Sequence, residues 1–290
     1  MSSLTATVPT TRAPAAARPQ VAPVAPAASS ALRALVRRGL LDNRRAPLIW
    51  GVPLGAMGAC VAALYPSIRE SLGTLTQDYP SGLKEAFGIT DLGTIEAFLH
   101  AEMFSLFLPL AIAYFAIRCI AASIAGAEEQ GYLDTVLATP VSRRMLVAGA
   151  VATTALSVAS VLLVAGVLTA LGAAVVGETL AIGPLAGALA GVWALAMFFA
   201  GCATLASGLL HRAPVVLGSG AALLAAMYLL DVLAKLTDAV AGLSWLSAFH
   251  HYGAPLTDGL DVTGLLVLVA AGALLAVAGA VCYERRDITG

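Results

Sequence analysis

The sequence predicts an all-α polytopic membrane protein with six transmembrane helices. It adds an N-terminal in-plane amphipathic helix and a short cytoplasmic helix between spans two and three. Three observations lead there. Mean hydropathy is +0.89 over 290 residues, and only 11% of residues are charged, against about a quarter in soluble domains. The apolar residues fall in six blocks, 47–66, 104–124, 146–173, 183–209, 214–233 and 262–282, each near or above the ~20 residues that cross a bilayer. The blocks are continuous, whereas a β-barrel needs short alternating segments. A helix also satisfies its own backbone hydrogen bonds in lipid.

Residues 1–30 are mostly Ala, Pro, Thr and Ser. Without an apolar core they read as a disordered cytoplasmic tail, not a signal peptide. The six-span domain then runs from 31 to 290. It opens with Leu32, Leu35, Val36 and Leu40 at helical spacing, with Arg33 and Arg37 off that stripe and Ser30 as a possible cap. A basic amphipathic helix beside a first span lies in the membrane plane. The alternative, an extension of span one, would drag the arginines into lipid.

Charge asymmetry sets the orientation. With an even span count both termini share a side. That side holds Arg33, Arg37, Arg38, Arg44, Arg45, Arg118, Arg143, Arg144, Arg212, Arg285 and Arg286, while the other keeps Arg69, Lys84 and Lys235. The positive-inside rule makes the arginine-rich side cytoplasmic. The expectation is a multi-pass protein of the cell membrane with both termini in the cytoplasm.

The outer segment from Ser67 to Met103 carries apolar residues at mixed helical spacing with Gly and Pro breaks, which predicts two or three short amphipathic helices. The outer segment before span six is apolar but broken. Its Trp245, Phe249 and Tyr252 suit the membrane interface, or the segment re-enters the membrane where protein covers its backbone. Gly51 with Gly55, and Gly183, Gly187 and Gly191, stand four apart, a spacing that lets helices approach closely. Packing within the subunit is favoured over a dimer seam.

Cys60, Cys119, Cys202 and Cys282 lie within or at the edges of spans, with no CxxC or Cys/His pairing. Neither disulfides nor zinc are indicated. Adjacent His250 and His251 point apart on a helix and have no further ligand nearby.

The run "EEQGYLDTVLATPVSRR", Glu128 to Arg144, interrupts this apolar chain. Glu128 and Glu129 suit a helix start. Tyr132, Leu133, Val136 and Leu137 form one apolar stripe. Pro140 ends the helix, and Ser142 can cap the next. A short helix outside the bilayer with an apolar face needs a partner. The membrane surface is one candidate and a groove on a second protein the other; an anionic lipid surface would repel the glutamates, which favours the protein groove.

"AEEQGYLDTVLATPVSRRMLVAGAV" resembles the cytoplasmic loop between the second and third spans of type-2 ABC transporter permeases. The matching residues are Glu128, Glu129, Gly131, Leu133, Leu137, Thr139, Pro140, Val141, Ser142 and Arg143. The closing "CYERRDITG" is similar to that family's ending, through Tyr283, Arg285, Arg286 and Asp287. The resemblance implies that this loop is a coupling helix seated in a cleft of a separate ATPase subunit. Its implied contacts are Glu128, Glu129, Gly131, Tyr132, Leu133, Val136, Leu137 and Arg143. It further implies ATP-driven export through a pair of six-span units, either a homodimer or a pair with a related permease. ATP and Mg would be bound by the partner ATPase. No cofactor is expected on this chain, and no nucleic acid; membrane lipid surrounds it.

The residues agree with half a machine. A P-loop needs Gly-Lys-Ser/Thr, and Lys84 precedes Glu85 while Lys235 precedes Leu236. The chain is therefore expected to be a permease subunit, not an enzyme. A secondary transporter or channel would want paired charges in broken spans, and the middles of the six blocks have none. An intramembrane hydrolase would want GxSxG, HExxH or a Ser/His pair, which the blocks also lack.

Candidate pathway residues are Phe104, Phe107, Tyr114, Phe115 and Arg118 in span two, and Met227, Tyr228 and Asp231 in span five. For the aromatics, helix packing competes with a binding wall. For Arg118, snorkelling to the surface competes with a cytoplasmic gate or anion contact. Asp231 is read as solvated near the outer interface, or as the cap of a following helix. A wall without mid-span charge favours a hydrophobic or amphipathic, drug- or antibiotic-like cargo. A lipid-linked glycan is the alternative.

Overall fold

The computed structural model describes residues 28–75, 94–129 and 142–285. Six helices are long and apolar enough to span a membrane, and no strand occurs among the described residues. In chain order the helices are α1 (Ala28–Asp42), α2 (Val52–Leu75), α3 (Ile95–Leu99), α4 (Phe107–Ser123), α5 (Ala125–Glu129), α6 (Arg143–Val175), α7 (Ile182–Leu209), α8 (Ala213–Leu236), α9 (Asp238–Ala241), α10 (Ala248–Tyr252) and α11 (Val262–Arg285). The spans are α2 with its leading π-turn Pro47–Gly51, then α4, α6, α7, α8 and α11.

Most of the helix ends have local chemical causes. Ser142 caps α6, its Oγ accepting from the Met145 amide at 3.3 Å, as the sequence predicts. Asp261 does the same for α11, accepting from Thr263 N at 2.9 Å. Pro214 opens α8, where a missing N–H costs nothing. Two boundaries differ from expectation. Helix α1 begins at Ala28, so Ser30 lies inside it and is not its cap. Span two begins at Phe107, not 104, because a π-turn over His100–Phe104 ends in a break at Leu106 (φ −134°, ψ −68°). Pro109 sits in the first turn of α4, which tolerates a residue without N–H.

Helices α4 and α7 form the centre. Phe104, Phe115, Leu108, Ile112, Ile117, Leu195 and Phe199 are all almost fully buried. Lipid offers no hydrophobic drive between helices, so van der Waals fit and interhelical hydrogen bonds decide the packing. Helices α7 and α11 meet backbone to backbone. A Cβ at Gly208 would stand 2.6 Å from the Gly279 carbonyl oxygen, and one at Gly201 would collide with Gly272. The sequence reading did not single out these glycines.

The glycines it did single out divide. Gly51 and Gly55 pack on α6, where an added Cβ would lie 2.9 Å from Val161 O and 2.7 Å from Leu168 Cβ, respectively. Gly191 faces Tyr252 and Pro255, Gly187 faces Leu260, and Gly183 has no neighbour within 4 Å. Where these glycines pack, they pack within the subunit. Trp193 Nε1 donates to the Ala155 carbonyl at 3.1 Å and ties α7 to α6. Buried Thr169 and Thr204 donate back to the carbonyls of Ala165 and Ala200, at 2.9 and 2.7 Å, which satisfies their hydroxyls inside apolar helices.

Helix α1 lies against the start of α6. Leu35 packs on Gly149, and Gly39 on Thr153. Of the long first outer segment, residues 76–93 fall outside the description, and the expected helices there fall with them. Its described end is α3, capped by Thr94, whose Oγ1 accepts from Ala97 N at 3.3 Å.

Candidate functional site

Two regions hold the residues that sequence reasoning singled out. The first is the end of the bundle where spans two and three are joined. Gly131, Tyr132, Leu133, Val136 and Leu137 lie outside the described residues, but both feet of their loop are described. Glu128 and Glu129 are the last two residues of α5, and the short helix expected to follow them lies outside the described residues. The Glu129 carboxylate accepts from the Ala213 amide at 3.2 Å. Arg212, the N-cap residue of α8, makes no side-chain cap, so Glu129 supplies one from another element. An anionic acceptor there also meets the positive end of the helix dipole.

The other foot is basic. Arg143 Nη1 donates to the Tyr283 carbonyl at 3.2 Å, and its guanidinium lies 6.0 Å from the Tyr283 ring centre. Arg144 Nε pairs with Glu284 at 2.6 Å. Loop 130–141 is therefore flanked by ties to α8 on one side and α11 on the other. A cavity of about 410 Å³ opens between α1, α4, α6 and α11, lined by Leu35, Arg38, Asn43, Ile124, Leu146 and Tyr283 among others.

The second region is the expected pathway. The span-two stripe is split. Phe104 and Phe115 are buried, and Phe115 packs 5.4 Å from the Trp50 ring. Tyr114 is half-buried, 6.4 Å from the same ring. Phe107 and Arg118 are exposed. The break at Leu106 turns Phe104 away from the register of the helix that follows.

Met227, Tyr228 and Asp231 gather in the second half of α8, against the broken segment before span six, which the sequence reads either as an interface segment or as a re-entrant one covered by protein. Helix α10 docks inward there. Ser247 Oγ donates to the Met227 carbonyl at 2.8 Å, and the Phe249 ring meets Tyr228 edge to face at 5.3 Å. Tyr252 is buried, and its hydroxyl donates to the Phe104 carbonyl at 3.0 Å. Only Trp245 of the three predicted interface aromatics is exposed; Phe249 and Tyr252 are core residues.

The expectation for Asp231 is also corrected. It is 5% exposed, not solvated, and its Oδ2 pairs with Lys235 Nζ at 2.9 Å one turn on. The cap of the following helix is Thr237, which accepts from Ala239 N at 3.4 Å. The i,i+4 spacing of Asp231 and Lys235 was the available signal.

His100, just before α4, is buried, and its Nδ1 has no partner among the described residues. Burial holds its pKa down, from 6.5 to about 4. Asp258 opposes that shift and Lys235 adds to it. Burial alone raises the Tyr252 hydroxyl, which keeps it a donor. His251 Nε2 lies 3.0 Å from the Trp245 carbonyl, and its ring meets that of His250 edge to face at 5.4 Å.

Residues 40–284 match the family model described as multidrug efflux system permease Rv1217c, C-terminal domain. No curated protein matches the chain.

Proposed function

Because the chain belongs to the family of the multidrug efflux system permease Rv1217c, C-terminal domain, we propose that it is the transmembrane subunit of an ATP-driven exporter. A separate ATPase subunit powers it, and two six-span units enclose the path. The cargo is hydrophobic or amphipathic, since the spans offer no mid-membrane charge to hold a small ion. One observation carries the reading. The only strongly polar run between spans two and three resembles the coupling loop of type-2 ABC permeases, and described residues at both its feet reach other spans.

In this reading Glu128 and the run Gly131–Leu137 face the ATPase. The stripe Tyr132, Leu133, Val136 and Leu137 fills the cleft. Glu129 and Arg143 are engaged inside the permease and hold the loop in place. Phe104 and Phe115 support the path by packing; Met227 and Tyr228 stand nearer to it.

The test is reconstitution. Permease and ATPase together in liposomes should expel ethidium, as a probe of multidrug export, only when ATP is supplied on the ATPase side. The permease alone should neither hydrolyse ATP nor expel the dye. Dye export driven by a proton gradient without ATPase would refute the reading in favour of a secondary transporter.

A further inference from the structure

One charged pair within the spans is built asymmetrically. Asp231 and Lys235 stand one turn apart on α8, with Oδ2 and Nζ at 2.9 Å. The Asp231 side chain is 7% exposed and the Lys235 side chain 35%. Asp231 Oδ1 is buried and has no partner among the described residues. A carboxylate offers about four acceptor sites, and here a single ammonium serves it. Burying an anion with so little pairing is costly. The cation of this pair can withdraw into water on its flexible stem, whereas the anion is fixed beneath it.

The surroundings of the carboxylate suit a large apolar cation. Met227 and Tyr228 stand one turn earlier on the same helical face, and both are half-buried. Phe249 meets the Tyr228 ring edge to face at 5.3 Å and the Phe199 ring at 6.3 Å. This row of rings leads from α8 through α10 to α7. Ser247 fixes the corner, its Oγ donating to the Met227 carbonyl at 2.8 Å. Aromatic faces attract cations, and a thioether adapts to irregular apolar shapes. Helix α8 ends at Leu236, so Asp231 lies about 8 Å from that end at helical rise. An amphipathic molecule can place its charge there and its apolar body deeper along the span.

We propose that Asp231 selects cargo by charge: it receives the positive centre of an amphipathic organic cation, and Lys235 holds that place while the protein is empty. The proposal rests on the reading above that the chain exports an amphipathic molecule, and adds the class of that molecule and the residue that recognises it. The exchange is neutral at the carboxylate, since one cation leaves as another arrives. It favours a bulky organic cation over a small inorganic one. The organic cation is weakly hydrated and loses little on entry, whereas a small ion must surrender a tight water shell for one carboxylate. Binding also returns the strongly hydrated Lys235 ammonium to water.

The experiment uses the permease with its ATPase in nanodiscs, without nucleotide, at about pH 8, where a carboxylate is ionised. The probes share a triphenyl body: methyltriphenylphosphonium is cationic and triphenylphosphine oxide is neutral. Equilibrium dialysis of each labelled probe gives its Kd. Asp231→Asn keeps the shape and an acceptor oxygen but not the charge. It should weaken phosphonium binding about tenfold and change oxide binding by less than about twofold, the low end of what a close charge contact is worth. Lys235→Met should do the opposite and tighten phosphonium binding about tenfold, because the resident competitor is gone. Where Lys235→Met does not fold, Lys235→Gln carries the same expectation, since its amide is neutral and still donates to Oδ2. Asp231→Asn combined with Lys235→Met should bind the two probes alike.

Equal losses for both probes in Asp231→Asn would overturn the proposal and make Asp231 a packing group. An unchanged phosphonium Kd in Asp231→Asn would overturn it as well. So would unchanged or weaker phosphonium binding in Lys235→Met, which would make the pair a structural brace. A parent protein that binds no phosphonium also refutes it. Liposomes holding the parent complex separate this inference from the export reading. If ATP drives export of neutral Nile red while no organic cation is bound, only the charge selection fails. If ATP drives export of neither Nile red nor ethidium, the export reading fails with it.

Discussion

Helices α7 and α8 have the same mean hydropathy, 1.9 over their best windows, yet 61% of the first window is buried and 22% of the second. Helix α11 is the most apolar span, at 2.7, and the least buried, at 17%. Hydropathy thus reports contact with something apolar and does not distinguish lipid from protein. Shape makes that distinction. Helix α7 carries Gly201 and Gly208 toward the backbone of α11, Gly191 toward Tyr252, and Trp193 toward a carbonyl of α6. The surface of α8 offers Val215, Leu223, Leu229 and Leu233 outward. Helix α11 joins that centre along one glycine-lined face and turns its remaining surface outward, whereas α8 turns most of its surface outward.

That difference can be broken at several depths. The largest effect should come from Gly201→Leu. Its side chain has no room beside Gly272, and overpacking at a backbone contact costs about 3 kcal/mol or more. Little monodisperse protein should survive detergent extraction, while Gly183→Leu, in open space, should purify like the parent. Next come matched truncations. Leu195→Ala in the centre should cost about 2–4 kcal/mol. Leu274→Ala, 71% exposed on α11, should cost well under about 1 kcal/mol, since lipid fills the space. Equal losses in thermal unfolding would erase the distinction between centre and periphery.

A pH effect follows in size. Unfolded His100 takes up a proton below about pH 6.5, but folded His100 only below about 4. The unfolded state therefore binds more protons between those values. The stability tied to neutral His100 is complete above pH 6.5 and drains away as pH falls toward 4. His100→Leu should flatten the pH dependence of unfolding across that window. Tyr252→Phe should cost about 1 kcal/mol through the lost bond to Phe104 O, more if that carbonyl is left unpaired. Arg69→Ala should do least, within about 0.5 kcal/mol, because its pair with Glu178 is long, at 3.4 Å, and solvent-exposed.

What the sequence made legible follows the range of the interaction. The six spans, the Ser142 cap and the amphipathic start of the chain are local patterns, and the structure reproduces them. The π-turn before α4 has no signal beyond Pro109, so the start of span two was misplaced. For Phe249 and Tyr252 an interface reading stood beside a re-entrant, protein-covered one, because an aromatic suited to the headgroup region has the same chemistry as one suited to a core; their burial favours the second. The Asp231–Lys235 pair was readable at one-turn spacing and was passed over. Glu129 could not be assigned to Ala213 from sequence, since their meeting depends on how α5 and α8 come together.

The central claim is that loop 130–141 couples this permease to an ATPase, and Leu133→Asp tests it most directly. The variant would place an unpaired carboxylate in the cleft, a cost of several kcal/mol, or roughly a hundred-fold in affinity. The measurement is co-purification of a tagged ATPase from membranes with equal permease content. Loss of the ATPase at normal permease levels is the predicted result. An intact complex with unchanged ATP-dependent dye export would contradict it and place the stripe of Tyr132, Leu133, Val136 and Leu137 on the membrane surface instead.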